Sequence, residues 1–365
     1  MEAEPHSDVE VIRQAIRESS RVYLLSRYLP TEESKLHRLQ WAEKSDLLVL
    51  VFSNPSVVKV ISASTGALVK EIPLSYDTDK INVLHSIDNS DLLALFFLQP
   101  EDQSGNQSVV FRLLSLTSGT IVYESAHPDV FNTASDKFQR LYIPRGKHLD
   151  IFDLKTLSVV HTFTLPGDVY GVEVSPDASK VFFAVRDDNL YVVEAGTTTF
   201  EKVLQDRVGG WGELEKLYAD LGIAIWALSL GDEAQELTAV SLTDGRVIKE
   251  GIRVQGYQSI RSFPKHGVFW IRNLRELSDK IQLIDPLTFE NSEQITLPAA
   301  LKYIWPLGSG DYAVGYDADG KQVALRVSDW SIFEGFSAFK QSTSSRSLNA
   351  IAKLTEDDLL EFVVL

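Results

Sequence analysis

The sequence predicts an all-β fold, and three observations carry this prediction. Apolar segments of five to eight residues recur along the chain and are rich in Val, Ile, Leu, Phe and Tyr. Short turns of Asp, Asn, Gly and Ser separate them, and long helical periodicity is scarce. The segments also repeat at a regular spacing, which indicates one large unit rather than several small domains.

Seven copies of a strand–turn–strand pattern superpose on one shared turn position. Two clear copies are 57–72 (VVKVISASTGALVKEI) and 109–124 (VVFRLLSLTSGTIVYE). The residues at the shared position are Gly66, Gly119, Leu157, Thr198, Gly245, Phe289 and Trp330. They are 38 to 53 residues apart with a mean spacing of 44, and a period near 44 with about four strands per unit is typical of a β-propeller blade.

The repeats also share the chemistry of this turn. Glycine tolerates the positive φ that a tight turn requires. A residue with a hydrogen-bonding side chain lies four positions earlier, and we expect it to bind turn amides. These residues are Ser62, Ser115, Asp153, Glu194, Ser241 and Asp285.

The two chain ends are predicted to build one further unit. Segment 348–365 has the pattern of the first two strands of a repeat, and segment 21–29 (RVYLLSRYL) has that of an outer strand. Pairing them would remove exposed sheet edges. We therefore predict that residues 21–365 form a closed β-propeller of eight four-stranded blades, the last closed by the N- and C-terminal strands. Seven blades is the alternative if 129–165, which has the poorest inner strands, is not a true blade.

Parts of the chain resemble a known superfamily. Segments 57–72 and 169–197 (VYGVEVSPDASKVFFAVRDDNLYVVEAGT) resemble repeats of the WD40, YVTN and quinoprotein-like propellers, and the resemblance covers roughly residues 21–365. It implies the propeller fold. It implies little about function, because one fold hosts many unrelated activities.

Composition and motifs exclude several chemistries. The 365 residues include no Cys and one Met, so disulfides, thiolate metal sites, iron–sulfur clusters and Cys nucleophiles are absent. No histidine pair has metal-ligand spacing, and no nucleotide-binding or serine-hydrolase motif occurs. We therefore assign no catalytic residue, no metal ligand and no cofactor.

Charge and hydropathy bear on partners and compartment. The chain has 51 acidic and 35 basic residues, and its net charge of −16 repels phosphate backbones, so we expect no nucleic acid as a direct partner. No apolar run is long enough for a membrane helix, and no basic-then-apolar leader is visible at the start of the chain. We expect a cytoplasmic or nuclear protein with no membrane span.

An N-terminal extension, residues 1–20, is the first candidate for binding a partner. Val9, Ile12 and Ile16 lie on one face of a predicted short amphipathic helix. This helix docks either on its own propeller or on another subunit.

Two further features are candidate contact sites. Trp211, flanked by glycines, is either a partner anchor or a residue buried over the propeller. A basic zone either accepts an anionic partner or is a solvated loop. Its residues are Arg261, Lys265, Arg272 and Arg275.

These observations favour a non-enzymatic propeller scaffold that binds protein or peptide partners within a multisubunit assembly. The alternative is a metal- or cofactor-dependent propeller enzyme, a lactonase-like hydrolase with its site in the central channel. Such hydrolases gather Glu, Asn and Asp around a metal, and sequence alone does not show which carboxylates converge there.

Overall fold

A computed structural model describes most of the repeats. The described residues are 14, 22–42, 46–75, 77, 81–87, 90–98, 109–127, 133–175, 177–185, 189–203, 213–218, 221–231, 234–255, 258–263, 268–273, 277–285, 287–288, 290–307, 310–333, 339–345, 350–355 and 357–364.

The described residues form 31 strands and a 3-10 helix at Leu25–Arg27. The first half of the strands are β1 (Val22–Leu24), β2 (Lys35–Trp41), β3 (Leu47–Ser53), β4 (Val57–Ser62), β5 (Leu68–Pro73), β6 (Ile81–Ser86), β7 (Leu92–Leu98), β8 (Val109–Ser115), β9 (Ile121–His127), β10 (Ala134–Ser135), β11 (Arg140–Arg145), β12 (His148–Asp153), β13 (Ser158–Thr164), β14 (Val169–Val174) and β15 (Lys180–Val185). The others are β16 (Asn189–Glu194), β17 (Phe200–Lys202), β18 (Glu213–Tyr218), β19 (Ile223–Gly231), β20 (Ala234–Ser241), β21 (Val247–Gln255), β22 (Gln258–Phe263), β23 (Val268–Asn273), β24 (Ser278–Ile284), β25 (Asn291–Leu307), β26 (Tyr312–Tyr316), β27 (Gln322–Arg326), β28 (Ser331–Ile332), β29 (Phe339–Ser345), β30 (Ala350–Thr355) and β31 (Leu359–Val364).

Within the described residues, the strands form seven sheets in which successive strands are neighbours. Five sheets have four consecutive strands each: β2–β5, β6–β9, β10–β13, β14–β17 and β18–β21. A sixth, the terminal sheet, has the order β1-β31-β30-β29. The seventh contains β22 to β28.

The chain divides into two compact units. Unit 1 comprises Met1–Ala126, Pro306–Val314 and Lys321–Leu365, and unit 2 comprises His127–Trp305 and Gly315–Gly320. The sheets β2–β5 and β6–β9 and the terminal sheet belong to unit 1. The sheets β10–β13, β14–β17 and β18–β21 belong to unit 2.

The prediction of eight four-stranded blades is wrong, because the described residues form seven sheets, the number given as the alternative. The difference arises at β25, which is 17 residues long and places two sequence repeats in one seven-stranded sheet. Residues 293–307 contain no Gly, Asp or Asn, and the strand continues through Pro298 and Pro306. The weak segment 129–165 is not the cause, since it forms the sheet β10–β13.

The two chain ends do share a sheet, as predicted. β1 pairs antiparallel with β31, with Val22 opposite Glu361 and Leu24 opposite Leu359. The C-terminal segment contributes three strands starting at Phe339 rather than two starting at residue 348. The predicted outer strand 21–29 is shorter than expected, because the 3-10 helix follows β1 directly.

The core lies between the faces of successive sheets. Alternate residues of β3 pack into two clusters: Leu48, Leu50 and Phe52 pack with the terminal sheet, whereas Val49 and Val51 pack with β6–β9. In unit 2, β15 divides its residues in the same way between clusters shared with β10–β13 and β18–β21. The sheets β2–β5 and β14–β17 are therefore apolar on both faces, and each large side chain buried there contributes about 1.5–3 kcal/mol.

The shared turn position has positive φ at five of the seven aligned residues. These are Gly66 (66°), Gly119 (77°), Leu157 (53°), Gly245 (70°) and Trp330 (55°). The alignment is wrong at Thr198, because Gly196, two residues earlier, has the positive φ of 86°. Phe289 lies outside the described residues.

The expected turn hydrogen bonds are present in five of six cases. Side-chain oxygens of Ser62, Ser115, Asp153, Ser241 and Asp285 accept backbone N–H groups two or three residues later. The expectation is wrong for Glu194, whose carboxylate instead lies 3.3 Å from Lys180 Nζ.

A β-bulge recurs three residues after the shared turn position. In β13, Ile151 is opposite His161 and Phe152 is opposite Val159, which leaves Val160 as the extra residue. The extra residues at this point in the outer strands of four repeats are Val69, Val160, Ile248 and Ser292.

Candidate interaction surface

The sequence-predicted partner residues are mostly outside the described part of the chain. Those outside it are Val9, Ile12, Ile16, Trp211, Lys265 and Arg275. Of the predicted N-terminal helix only Gln14 is described, and its backbone is helical. Arg261 and Arg272 lie in the adjacent antiparallel strands β22 and β23, opposite Trp270 and Ser259, and only their backbone is described. Two of the four basic residues are therefore on strands rather than on a loop.

Acidic side chains at the first hairpin turns are bound within their own sheets. Asp46 Oδ2 accepts a hydrogen bond from Ser62 Oγ at 2.5 Å. At the same place in the next sheet, Asp91 Oδ2 accepts hydrogen bonds from Ser115 Oγ at 2.9 Å and Thr117 N at 3.1 Å. Burial acts to raise the pKa of Asp91, but the bonds from Thr117 and Ser115 outweigh it, so its pKa lies below the ordinary 3.8. These carboxylates stabilise turns.

An apolar surface lies on the sheet β10–β13. It consists of Phe138 in the β10–β11 turn, Leu157 in the β12–β13 turn, and Val159 and Val160 in β13. Their exposed fractions are 49%, 41%, 42% and 49%, respectively. We call these four residues the β13 surface. The sequence analysis did not predict the β13 surface. The alignment of Leu157 with the turn glycines was a signal, because it places an apolar side chain on a tight turn.

Phe138 is fixed although half of it is exposed. A Cβ added to Gly196 would lie 3.0 Å from Phe138 Cε2, so the ring packs against bare glycine backbone. Asp136 Oδ1 accepts hydrogen bonds from the N–H groups of Phe138 at 2.9 Å and Arg140 at 3.1 Å. Lys137 Nζ lies 5.5 Å from the ring centroid, in range for a cation–π contact. The ring is therefore presented in a defined position.

Leu157 is held by its own turn. Asp153 Oδ1 accepts a hydrogen bond from Thr156 N at 2.8 Å, and this bond is the main reason why the pKa of Asp153 is lowered. The N–H of Leu154 donates to the carbonyl oxygen of Gln139 at 2.9 Å, which joins this turn to the β10–β11 turn. The turns that carry Leu157 and Phe138 are thus linked by backbone.

A buried carboxylate fixes the far half of β13. Asp150 accepts hydrogen bonds from Arg145 Nε at 3.0 Å and from Thr162 Oγ1 at 2.7 Å. The Asp150 side chain is almost fully buried, so these partners replace the water it loses. The interaction connects β11, β12 and β13.

Within the described ranges, no group of three or more His, Asp or Glu side chains is arranged to hold a metal ion. In the same part of the chain, no helix has both the length and the hydropathy needed to cross a membrane.

No protein-family model and no curated protein matches the chain. Many solved chains are similar to it in fold, and two of them illustrate the likeness. One, described as a eukaryotic initiation factor, is 8% identical, with a TM-score of 0.55 over 84% of this chain and 88% of that one. The other, BamB from Moraxella catarrhalis, is 13% identical, with a TM-score of 0.50 over 77% of this chain and 80% of that one.

These neighbours are β-propeller proteins, and together with the succession of antiparallel sheets they define the fold of this chain as an all-β propeller. The fold expected from the superfamily resemblance is confirmed. At such low identity the likeness shows the fold alone. Membership of the WD40 group, the cellular compartment and the absence of catalysis stay predictions.

Proposed function

We propose that this chain is a non-enzymatic β-propeller scaffold that binds protein partners within a larger assembly, and that the β13 surface is one contact site. The observation that carries the proposal is a set of four half-exposed apolar side chains on one sheet, two of which, Phe138 and Leu157, are held on hydrogen-bonded turns. Single exposed apolar residues are ordinary, but a group that includes an aromatic ring is typical of an interaction site.

Rigid presentation favours binding. A side chain that is already fixed loses little conformational entropy when a partner covers it, so more of the apolar contact appears as affinity. Phe138 is fixed by Gly196 and by the Asp136 turn. A few buried anchors of this kind account for most of the binding energy in protein interfaces.

A capture experiment tests the proposal. The full chain is used as bait in extract from its source, and retained proteins are quantified by mass spectrometry for the wild type and for Leu157→Asn/Val159→Ser. We expect at least about a tenfold loss of a stoichiometric partner in the double variant, as for loss of an anchor. Ile332→Ser is the matched control, because Ile332 is exposed and lies two residues after Trp330, as Val159 does after Leu157.

Two results would overturn the proposal. Equal retention of all partners by the wild type and the double variant would remove the β13 surface from the binding site. A tightly bound metal in elemental analysis, together with lactone hydrolysis by the purified chain, would replace the scaffold with the hydrolase alternative.

A further inference from the structure

We propose that the outer edge of β13 binds an extended segment of a partner protein as an additional β-strand, and that this segment is rich in uncharged β-branched residues and flanked by Lys or Arg. This inference rests on the proposed scaffold function and specifies how one partner is recognised. The evidence for strand addition is the unpaired edge of β13, whereas the β13 surface supports only an apolar contact with a partner.

The first argument is the unfilled edge. β13 is the last strand of the order β10-β11-β12-β13, and among the described residues it pairs only with β12. It is seven residues long, and alternate N–H and C=O groups along its outer side have no strand partner in the described chain. Such an edge is a template on which another strand can pair.

The second argument is the absence of protecting charge. Proteins commonly guard exposed edges with charged side chains, Lys above all. The outer strands β5, β9, β17 and β21 each contain Lys, Arg or Glu, whereas β13 (SVVHTFT) contains none of these and no Asp. The edge strands β1 and β28 are also uncharged, but they have only three and two residues. The bulge at Val160 does not distinguish β13, because β5 and β21 have a bulge at the same place. β13 is therefore an uncharged edge of seven residues on a protein with a net charge of −16.

The third argument is a side-chain platform next to this edge. The His161 ring lies edge-on to Phe163 at 4.7 Å between centroids, and Phe163 lies edge-on to Phe200 at 5.3 Å. His161 is partly exposed and Phe163 is buried, so the row runs from the edge of the sheet into the core of unit 2. A β-branched or aromatic side chain of an added strand would pack beside His161 on this fixed base.

Charge decides between the possible occupants. A second copy of this chain also carries a net charge of −16, so two copies repel each other during approach. A segment with basic flanks is attracted by the same field, while its uncharged centre matches the uncharged strand. The occupant is therefore a basic-flanked strand of a different protein.

Synthetic peptides test the inference on the full chain. The probe is a fluorescent peptide of alternating valine and threonine with two lysines at each end, and its dissociation constant is measured by fluorescence anisotropy. A second peptide has glutamates in place of the lysines. A third keeps the lysines but is N-methylated at alternate residues, so that it retains its side chains and loses the backbone donors on one edge.

We expect the lysine-flanked peptide to bind, and the other two to bind at least about tenfold more weakly. Val160→Lys places a charge on the edge and should weaken binding by a similar factor. Val69→Lys is the matched control, since Val69 is the exposed bulge residue of β5, which already carries Lys70 and Glu71. Hydrogen exchange should show new protection of amides in 158–164 when the peptide is bound.

Several outcomes would overturn the inference. No binding of the lysine-flanked peptide to the wild type, equal binding to the Val160→Lys variant, or tight binding of the N-methylated peptide would each exclude strand addition at β13. Dimerisation in sedimentation that Val160→Lys abolishes would assign the edge to a second copy. If the peptides fail but capture still depends on Leu157 and Val159, strand addition is wrong and the scaffold function stands.

Discussion

Lys353 and Glu361 form an ion pair inside the terminal sheet. Removing Lys353 and removing Glu361 should lower the free energy of unfolding by different amounts. Lys353 Nζ lies 2.9 Å from Glu361 Oε2, and the two side chains are 1% and 25% exposed. Glu361→Leu leaves an ammonium group buried without its carboxylate, which costs about 3–5 kcal/mol of unfolding free energy. Lys353→Met preserves an unbranched apolar stem and leaves a carboxylate that still reaches water, so we expect a cost of about 1–2 kcal/mol.

The double variant Lys353→Met/Glu361→Leu completes the test. It buries no unpaired charge, so its stability should lie within about 1 kcal/mol of the wild type, and the two single costs should not add. The assay is urea unfolding followed by tryptophan fluorescence. Glu194→Gln, which breaks the exposed pair with Lys180, is the control and should cost less than about 1 kcal/mol. Equal costs for the two single variants, or an additive double variant, would refute the reasoning.

Three further predictions concern turns. Gly66→Ala should lower the free energy of unfolding by about 3 kcal/mol or more, because the new Cβ overlaps the Tyr23 ring. Gly222→Ala meets open space among the described residues, so it should lower it by only about 1 kcal/mol, for the positive φ. Thermal unfolding compares the two variants. Leu157→Asn should raise the unfolding midpoint in urea, since Asn tolerates positive φ better than Leu; a fall would contradict this. The folded-state pKa of Asp91 is lowered, so its ionised form stabilises the fold above about pH 3.8, and this contribution disappears as pH falls through the lowered value. Asp91→Asn should flatten that part of the stability–pH curve, and an unchanged slope would count against it.

The repeat could be predicted from the sequence because its turns have local causes. The positive φ at Gly66 and the hydrogen bond to Ser62 depend on residues within one turn. The same alignment placed Leu157 at a position where glycine is the preferred residue, and Leu157 has positive φ in the structure. Local chemistry thus fixes turns even where the preferred residue is missing.

The number of sheets could not be predicted in the same way. β25 continues through the boundary between two repeats although Pro298 and Pro306 lie within it, and by residue type these prolines would predict a break. The spacing of the turns is unaffected by that continuation. The exposed position of Phe138 depends on Gly196, which is distant in sequence and belongs to the next sheet. A contact of this kind depends on packing between sheets, and the sequence pattern of one repeat gives no information about that packing.

The pairing of β1 with β31 has a consequence for synthesis on the ribosome. β1 is translated before β2 to β30, and its partner β31 after them. Sheets such as β2–β5 have all their strands close together in the chain and can form as soon as they leave the exit tunnel, whereas the terminal sheet waits for the last strand. Until β31 is made, the short apolar β1 segment, with Tyr23 and Leu24, lacks its strand partner and chaperones can bind it, and its docking completes the terminal sheet.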